Sequence, residues 1–224
     1  MLHAVYHNKG NLYKRYIRER DGLEGNVYAE DEITSIFLGT QEFLETAYVW
    51  QIWRAIVGEE INPPNQFQPP ESATIQLWPR RGIEPDAMIT FCWPNKVERL
   101  LLVEFKWDAP ESGVGQLQKQ WTEFLTDKER QNALHLFIAK DTSPARTHLD
   151  QWNIYPITWL QVRSRLQTCQ RVGKLETFCK LMDHFFHKIG IHPFCGFSGM
   201  QASPEFLDTK PPQIFFSATG NIEG

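Results

Sequence analysis

Residues 83–107 read IEPDAMITFCWPNKVERLLLVEFKW, two apolar, β-prone runs joined by PNK at positions 94–96. Asp86 opens the first run, and Glu104 and Lys106 stand near the end of the second. Charge within such runs is costly to bury unless a partner compensates it. A turn this short pairs the two strands antiparallel. That pairing brings Asp86 towards Glu104, where like charges repel unless a cation lies between them. Side chains alternate along a strand, so Leu102, Glu104 and Lys106 share one face while Val103 and Phe105 share the other. Glu104 and Lys106 then sit about 7 Å apart along the strand.

Working outward, apolar residues at helical spacing from Glu30 through Ile33, Ile36, Phe37, Thr40 and Phe43 to Leu44 predict a helix, which AYVWQIWRAIV continues or follows as another. NPPNQFQPP is a loop, because clustered prolines stop helix and central strand alike. ATIQLW is a further strand. Beyond the hairpin, Val114 to about Arg130 reads as one helix with Leu117, Trp121, Phe124 and Leu125 on one face. ALHLFIA and IYPIT read as strands, Thr158 and Gln161 have capping-box spacing for a helix starting at Trp159, and a last helix covers Lys174 to Ile189. This order predicts an α/β fold with a mixed central β-sheet flanked by α-helices. A single domain is expected over 1–199, with its core at about 28–160, a helical C-terminal part at about 160–199, and an irregular tail at 200–224.

Composition narrows the class. The 224 residues are 42% hydrophobic and 22% charged, enough for a packed core, and eight Trp and fifteen Phe load that core with aromatics. A net charge of -4 argues against a wholly basic surface but permits local basic patches. Cys92, Cys169, Cys179 and Cys195 show no CxxC spacing, the pattern of reduced cytoplasmic thiols. The first twenty residues lack the apolar segment of a signal peptide, and no apolar run is long enough to span a bilayer, so no membrane role is expected. No Walker loop, GxGxxG or GxSxG supports nucleotide hydrolysis or serine-esterase chemistry. His184, His187, His192 and Cys195 fit no standard zinc spacing, and His184 and His187 read as flanks of the apolar Phe185 and Phe186.

An acid-x-lysine pair on a strand is, alone, usually an exposed ion pair worth little. Here a Pro-Asp strand start, a short turn, an unusually apolar strand and a following helix with paired glutamines occur together. Oxygen ligands suit Mg²⁺, and the carboxylates of Asp86 and Glu104, helped by the Phe105 carbonyl, could hold it. Such a metal activates water and stabilises charge on a phosphate, with Lys106 orienting that water or neutralising the developing charge.

The pattern IEPD ending at Asp86, VEFK with Glu104 after seventeen residues intervening from Asp86 and with Lys106 two further on, then GQLQKQW resembles the PD-(D/E)XK nuclease superfamily, whose fold is that of restriction endonucleases. The resemblance covers roughly residues 28–160. It implies a metal-dependent endonuclease in which Asp86 and Glu104 bind Mg²⁺, with Mn²⁺ as a substitute, and Lys106 is the catalytic lysine. Gln116 and Gln120, one helical turn apart, resemble the glutamine-bearing helix of several branches. Trp121 stands one position off the aromatic of a QxxxY pattern, and an amphipathic structural helix is an equal reading. Many members carry a glutamate on the first core helix. Asp31 points away from the apolar face of this helix, while Glu30 and Glu32 flank its edges. By the resemblance Glu30 is preferred as a further metal-site residue beside Asp86, Glu104 and the Phe105 carbonyl, because EDEIT resembles the E-(N/D)-x-(L/I)-T starts of related nucleases, although all three acids also suit a positive helix N-terminus.

The implied partner is nucleic acid, DNA in the first place. Lys9, Lys14, Arg15, Arg18 and Arg20 with Tyr13 and Tyr16, together with Arg80 and Arg81, could grip phosphates. No helix-turn-helix or zinc finger supplies a sequence reader. A targeting protein or a second copy of the chain are further partners left open, as are roles in prokaryotic defence, mobile elements or repair. The alternatives are a catalytically silent nucleic-acid-binding or assembly protein on the same fold, and an interaction module with an exposed aromatic patch.

Overall fold

Three successive strands, β1 (Ser72–Leu77), β2 (Ala87–Cys92) and β3 (Glu98–Lys106), form an antiparallel meander in the computed structural model, which describes residues 30–64, 66, 68–107, 113–169 and 172–193. The PNK segment is a single 3-10 turn closed by the Trp93 N–H donating to the Val97 carbonyl at 2.8 Å. The register runs from Cys92 opposite Glu98 to Ala87 opposite Val103. β3 therefore continues three residues past the start of β2. On its other side it pairs in parallel with β4 (Ala133–Ala139), which pairs in parallel with β5 (Ile154–Thr158). Strand order follows the chain, β1-β2-β3-β4-β5. Pro156 is accommodated because β5 lies at the sheet's edge, where one side of the backbone needs no ladder partner.

Helices cover both faces, giving the mixed α/β arrangement expected from the sequence. One face carries α1 (Glu30–Phe37), α2 (Thr46–Val57), α5 (Trp159–Gln167) and α6 (Gly173–Lys188), packed on Leu101, Val103, Phe105, Leu134, Leu136 and Ile138. The other face carries α3 (Gly113–Lys119), a π-helical turn over Gln120–Phe124, and α4 (Asp127–Asn132), packed on Met88, Leu100, Leu102 and Phe137. Strand alternation thus sends Phe105 into one layer and Glu104 towards the other. The chain divides at Pro193, and every element above lies in the unit ending at His192. The basic N-terminal segment, Cys195 and the 200–224 tail lie outside the described residues.

Two predicted helices are broken. The helix expected from Glu30 to Leu44 ends at Phe37 and resumes only as a 3-10 turn at Gln41–Phe43. Side chains take over its last carbonyls: Thr40 Oγ1 donates to Ile36 O at 2.7 Å and Gln41 Nε2 to Phe37 O at 3.0 Å, while Gln41 Oε1 accepts from the Trp53 indole at 2.9 Å. The helix expected from Val114 to Arg130 stops at Phe124, because Thr126 and Glu129 form a capping box that starts α4 afresh. The capping box of Thr158 and Gln161 does begin α5 at Trp159.

Phe37 anchors α1. It is fully buried, and its ring meets those of Trp53, Phe105, Trp159, Phe178 and Phe186 at centroid distances of 6.0–6.3 Å. Phe37→Ala should cost about 3–5 kcal/mol of stability, read as a lowered urea midpoint. A midpoint within error of the parent would show that this aromatic cluster does not hold α1 in place.

Candidate active site

The overhang of β3 builds the site. In an extended strand the N–H and C=O of one residue point to the same neighbour. Val103 faces β2, so the N–H and C=O of Phe105 and Trp107 point to that side too, beyond the point where β2 has ended. Carboxylates fill the gap. The Phe105 N–H donates to Asp86 Oδ2 at 2.7 Å, and the Trp107 N–H donates to Glu30 Oε1 at 2.9 Å. Asp86 immediately precedes β2, and its carbonyl accepts from the N–H of Trp78 at 2.9 Å. Trp78 itself adopts a left-handed backbone (φ 47°), an uncommon conformation for a bulky residue, with its ring buried in the core.

Glu104 is buried and bonded through both oxygens. Oε1 lies 2.7 Å from Lys106 Nζ, and Oε2 accepts from Gln120 Nε2 at 2.6 Å. Lys106 Nζ is also 3.7 Å from Glu30 Oε2. The Lys106 carbonyl accepts from the Trp159 indole at 3.0 Å, tying the end of β3 to α5. The structure therefore brings Glu30, Asp86, Glu104, Lys106, the Phe105 backbone and Gln120 together. Gln116, one turn earlier, is half-buried and makes no hydrogen bond to this group, and Glu32 is buried without reaching Lys106.

Electrostatically the group is over-supplied with negative charge. Burial, then repulsion from Glu104, holds the Asp86 carboxyl well above the usual carboxylate range, with the Phe105 amide and Lys106 opposing. Burial also raises Glu104, against the pull of Lys106 and the Gln120 hydrogen bond. Burial alone would lower the Lys106 ammonium, but Glu104, Asp86 and Glu30 outweigh it and hold the group above its ordinary value. Capping a strand amide does not explain this. An asparagine at position 86 would accept from Phe105 N–H without placing a second, half-buried charge near Glu104.

The donor set suits a hard cation. Each carboxylate oxygen has a second lone pair, and the Phe105 carbonyl points to the same strand edge as its N–H, so oxygen donors remain for an ion that keeps several waters. Among the described residues no group of three or more His, Cys, Asp or Glu gathers as a metal cage. A two-carboxylate site with a backbone carbonyl does not need one.

Other expected groups fare differently. Arg81 Nη1 bonds both oxygens of Glu129, at 2.8 and 2.9 Å, and its guanidinium lies 4.9 Å from the Phe124 ring centroid, while Arg80 pairs with Glu84. Both arginines are committed to protein carboxylates. His184, His187 and His192 are exposed, with the rings of His187 and His192 5.2 Å apart. Sequence reading missed His135, a fully buried imidazole on β4 whose Nε2 lies 3.0 Å from Gln120 Oε1. The signal was a single polar residue in the otherwise apolar ALHLFIA strand, which burial obliges to find a partner.

No family model matches the chain, and no curated protein matches it. Among solved structures the chain is similar to one described as "MspJI Restriction Endonuclease in Complex with 27-mer Oligonucleotide", at 12% identity and a TM-score of 0.34, over 73% of this chain. The match spans only 37% of that longer chain.

The charge excess has a measurable consequence. A carboxyl raised in the folded state favours folding below its unfolded pKa, and that contribution is lost as pH rises through the folded value. Asp86→Asn should therefore stabilise the metal-free protein by on the order of 1 kcal/mol at neutral to alkaline pH, or about 2–4 °C in melting midpoint, with the gain shrinking towards pH 4. A gain that grows on acidification would contradict this electrostatic account.

Proposed function

We propose that the protein is a metal-dependent nuclease that hydrolyses phosphodiester bonds in DNA, with Asp86, Glu104 and the Phe105 carbonyl as the Mg²⁺ ligands. The observation that carries the reading is the pairing of buried Glu104 with half-buried Lys106 at 2.7 Å, with Asp86 held beside them by the Phe105 amide. When bound, Mg²⁺ would supply an activated water and neutralise charge on the phosphate, and Mn²⁺ could replace it.

The chain's own residues divide the remaining work. In the metal-free protein Glu104, Asp86 and Glu30 hold the Lys106 ammonium above its ordinary value, which suits a hydrogen-bond donor and positive charge. It can orient the attacking water or offset negative charge as the phosphate is attacked. Glu30, 3.7 Å from Nζ, gives the lysine a second carboxylate partner beside Glu104. Gln120 donates to Glu104 from the covering helix.

A catalytically silent nucleic-acid-binding protein on the same fold is the second reading, but the intact set of Asp86, Glu104 and Lys106 favours catalysis. An aromatic interaction module has less support: of the described Trp and Phe side chains, Phe43 alone is exposed. No helix among the described residues is long and apolar enough to cross a membrane. Action in the cytoplasm, in defence, mobile elements or repair, belongs to this proposal, as do a targeting protein and a second copy of the chain as partners.

Purified protein incubated with supercoiled, linear and single-stranded DNA, and with RNA, should cut DNA in Mg²⁺ or Mn²⁺ and not in EDTA. Glu104→Ala and Lys106→Ala should each lower the rate by at least about 100-fold. Cutting that persists unchanged in both variants would remove these residues from the active site. DNA binding without cutting by the parent protein in either metal would favour the silent reading.

A further inference from the structure

His135 stands mid-strand on β4, directly opposite Leu102, with no exposed surface. Its Nε2 meets Gln120 Oε1 at 3.0 Å, and Gln120 Nε2 meets Glu104 Oε2 at 2.6 Å. The three side chains form a chain from the interior of the sheet to the site. An ionised carboxylate accepts only, so the Gln120 amide must present its NH₂ to Glu104 and its oxygen to His135. That oxygen in turn requires a proton on Nε2. If the imidazole carried its proton on Nδ1, the amide would reverse and set its oxygen against a carboxylate oxygen.

Two features hold this geometry. The Trp121 ring lies parallel to the imidazole, at 10° and a centroid distance of 6.1 Å, and fixes its plane. The π-helical turn, closed by Leu125 N–H to Gln120 O at 3.3 Å, inserts an extra residue into the helix just where Gln120 and Trp121 must both face β4. The imidazole serves no evident packing need. Nδ1 makes no hydrogen bond of good geometry, only a weaker approach to the Trp152 backbone, so an aliphatic residue would fill the position without leaving a buried polar atom poorly satisfied. Burial pushes its pKa down to about 3, only partly offset by the Trp152 backbone, so the ring stays neutral and its Nε2 proton does not come and go near neutral pH.

We propose that His135 is a positioning residue whose Nε2–H fixes the orientation of the Gln120 amide, so that Glu104 always has a donor on Oε2 and keeps its carboxylate aimed at the site. Its effect on cleavage rests on the nuclease reading; the hydrogen-bond chain does not. Partners that orient ligating carboxylates typically carry about 10–100-fold in metal affinity or activity.

The test uses the full chain. Nitrogen-edited NMR follows the Gln120 side-chain amide in the parent, His135→Leu and His135→Gln, with DNA cleavage and Mg²⁺ half-activation measured in parallel. Glutamine can place an amide N–H close to where Nε2 stands, whereas leucine fills space without a donor. The downfield amide proton bonded to Glu104 should persist in the parent and His135→Gln and disappear in His135→Leu. Cleavage should fall about 10–100-fold in His135→Leu, recover largely in His135→Gln, and fall no further when His135→Leu is added to Gln120→Met. Should His135→Leu fail to fold, His135→Asn, whose amide is too short to reach Gln120, takes its place and should lose the same proton. A Gln120 signal unchanged in the donor-less variant overturns the inference, whatever the cleavage result. A parent that cuts nothing but shows the expected NMR pattern overturns the nuclease reading and leaves the positioning of Glu104 standing.

Discussion

The overhang of β3 beyond the start of β2 leaves the Phe105 and Trp107 amides without strand partners, and a buried amide left unpaired costs about 1–3 kcal/mol. Asp86 and Glu30 meet that demand, one from the end of the neighbouring strand and one from the first turn of a helix on the opposite layer. Those two hydrogen bonds bring three carboxylates around a single ammonium. The aromatic packing of Phe37 sets where Glu30 arrives, and the left-handed turn at Trp78 sets where Asp86 begins. A backbone requirement and a charge requirement are thus met by the same side chains.

The balance is deliberately incomplete. Lys106 offsets part of the repulsion, and the remainder appears as raised carboxyl pKa values at Asp86 and Glu104. Residual strain of this kind accumulates where a protein prepares a place for a charged ligand, and it is the sort of local cost that stabilising substitutions remove at the expense of function.

Much of this was legible in the sequence, and the reasons differ from part to part. The hairpin could be read because alternation, an apolar run and a short turn leave few registers, so Asp86, Glu104 and Lys106 followed from spacing alone. The break after Phe37 could not, since it depends on Gln41 meeting Trp53, twelve residues away and in another helix. Thr126 and Glu129 did carry a local capping signal, but it was masked by the apolar periodicity running through Phe124 and Leu125. Gln120 and Gln116 looked equivalent at helical spacing. Packing against the sheet, which no periodicity encodes, buries Gln120 against Glu104 and leaves Gln116 half-exposed. His135 was hidden for a similar reason: its partner is on an element that only the crossover brings to β4.

The strand order also says something about how the molecule comes together. Because the sheet follows the chain, Asp86, Glu104 and Lys106 all belong to one hairpin, and contacts of short sequence separation form sooner than distant ones. The repulsion between Asp86 and Glu104 is first met while water still surrounds them, when it is weak. The glutamine helix, β4 and the aromatic layer arrive later and strip that water away. The electrostatic penalty of the cluster therefore falls on the closing stage of folding rather than on nucleation, so a charge cluster that weakens the finished protein need not slow its start.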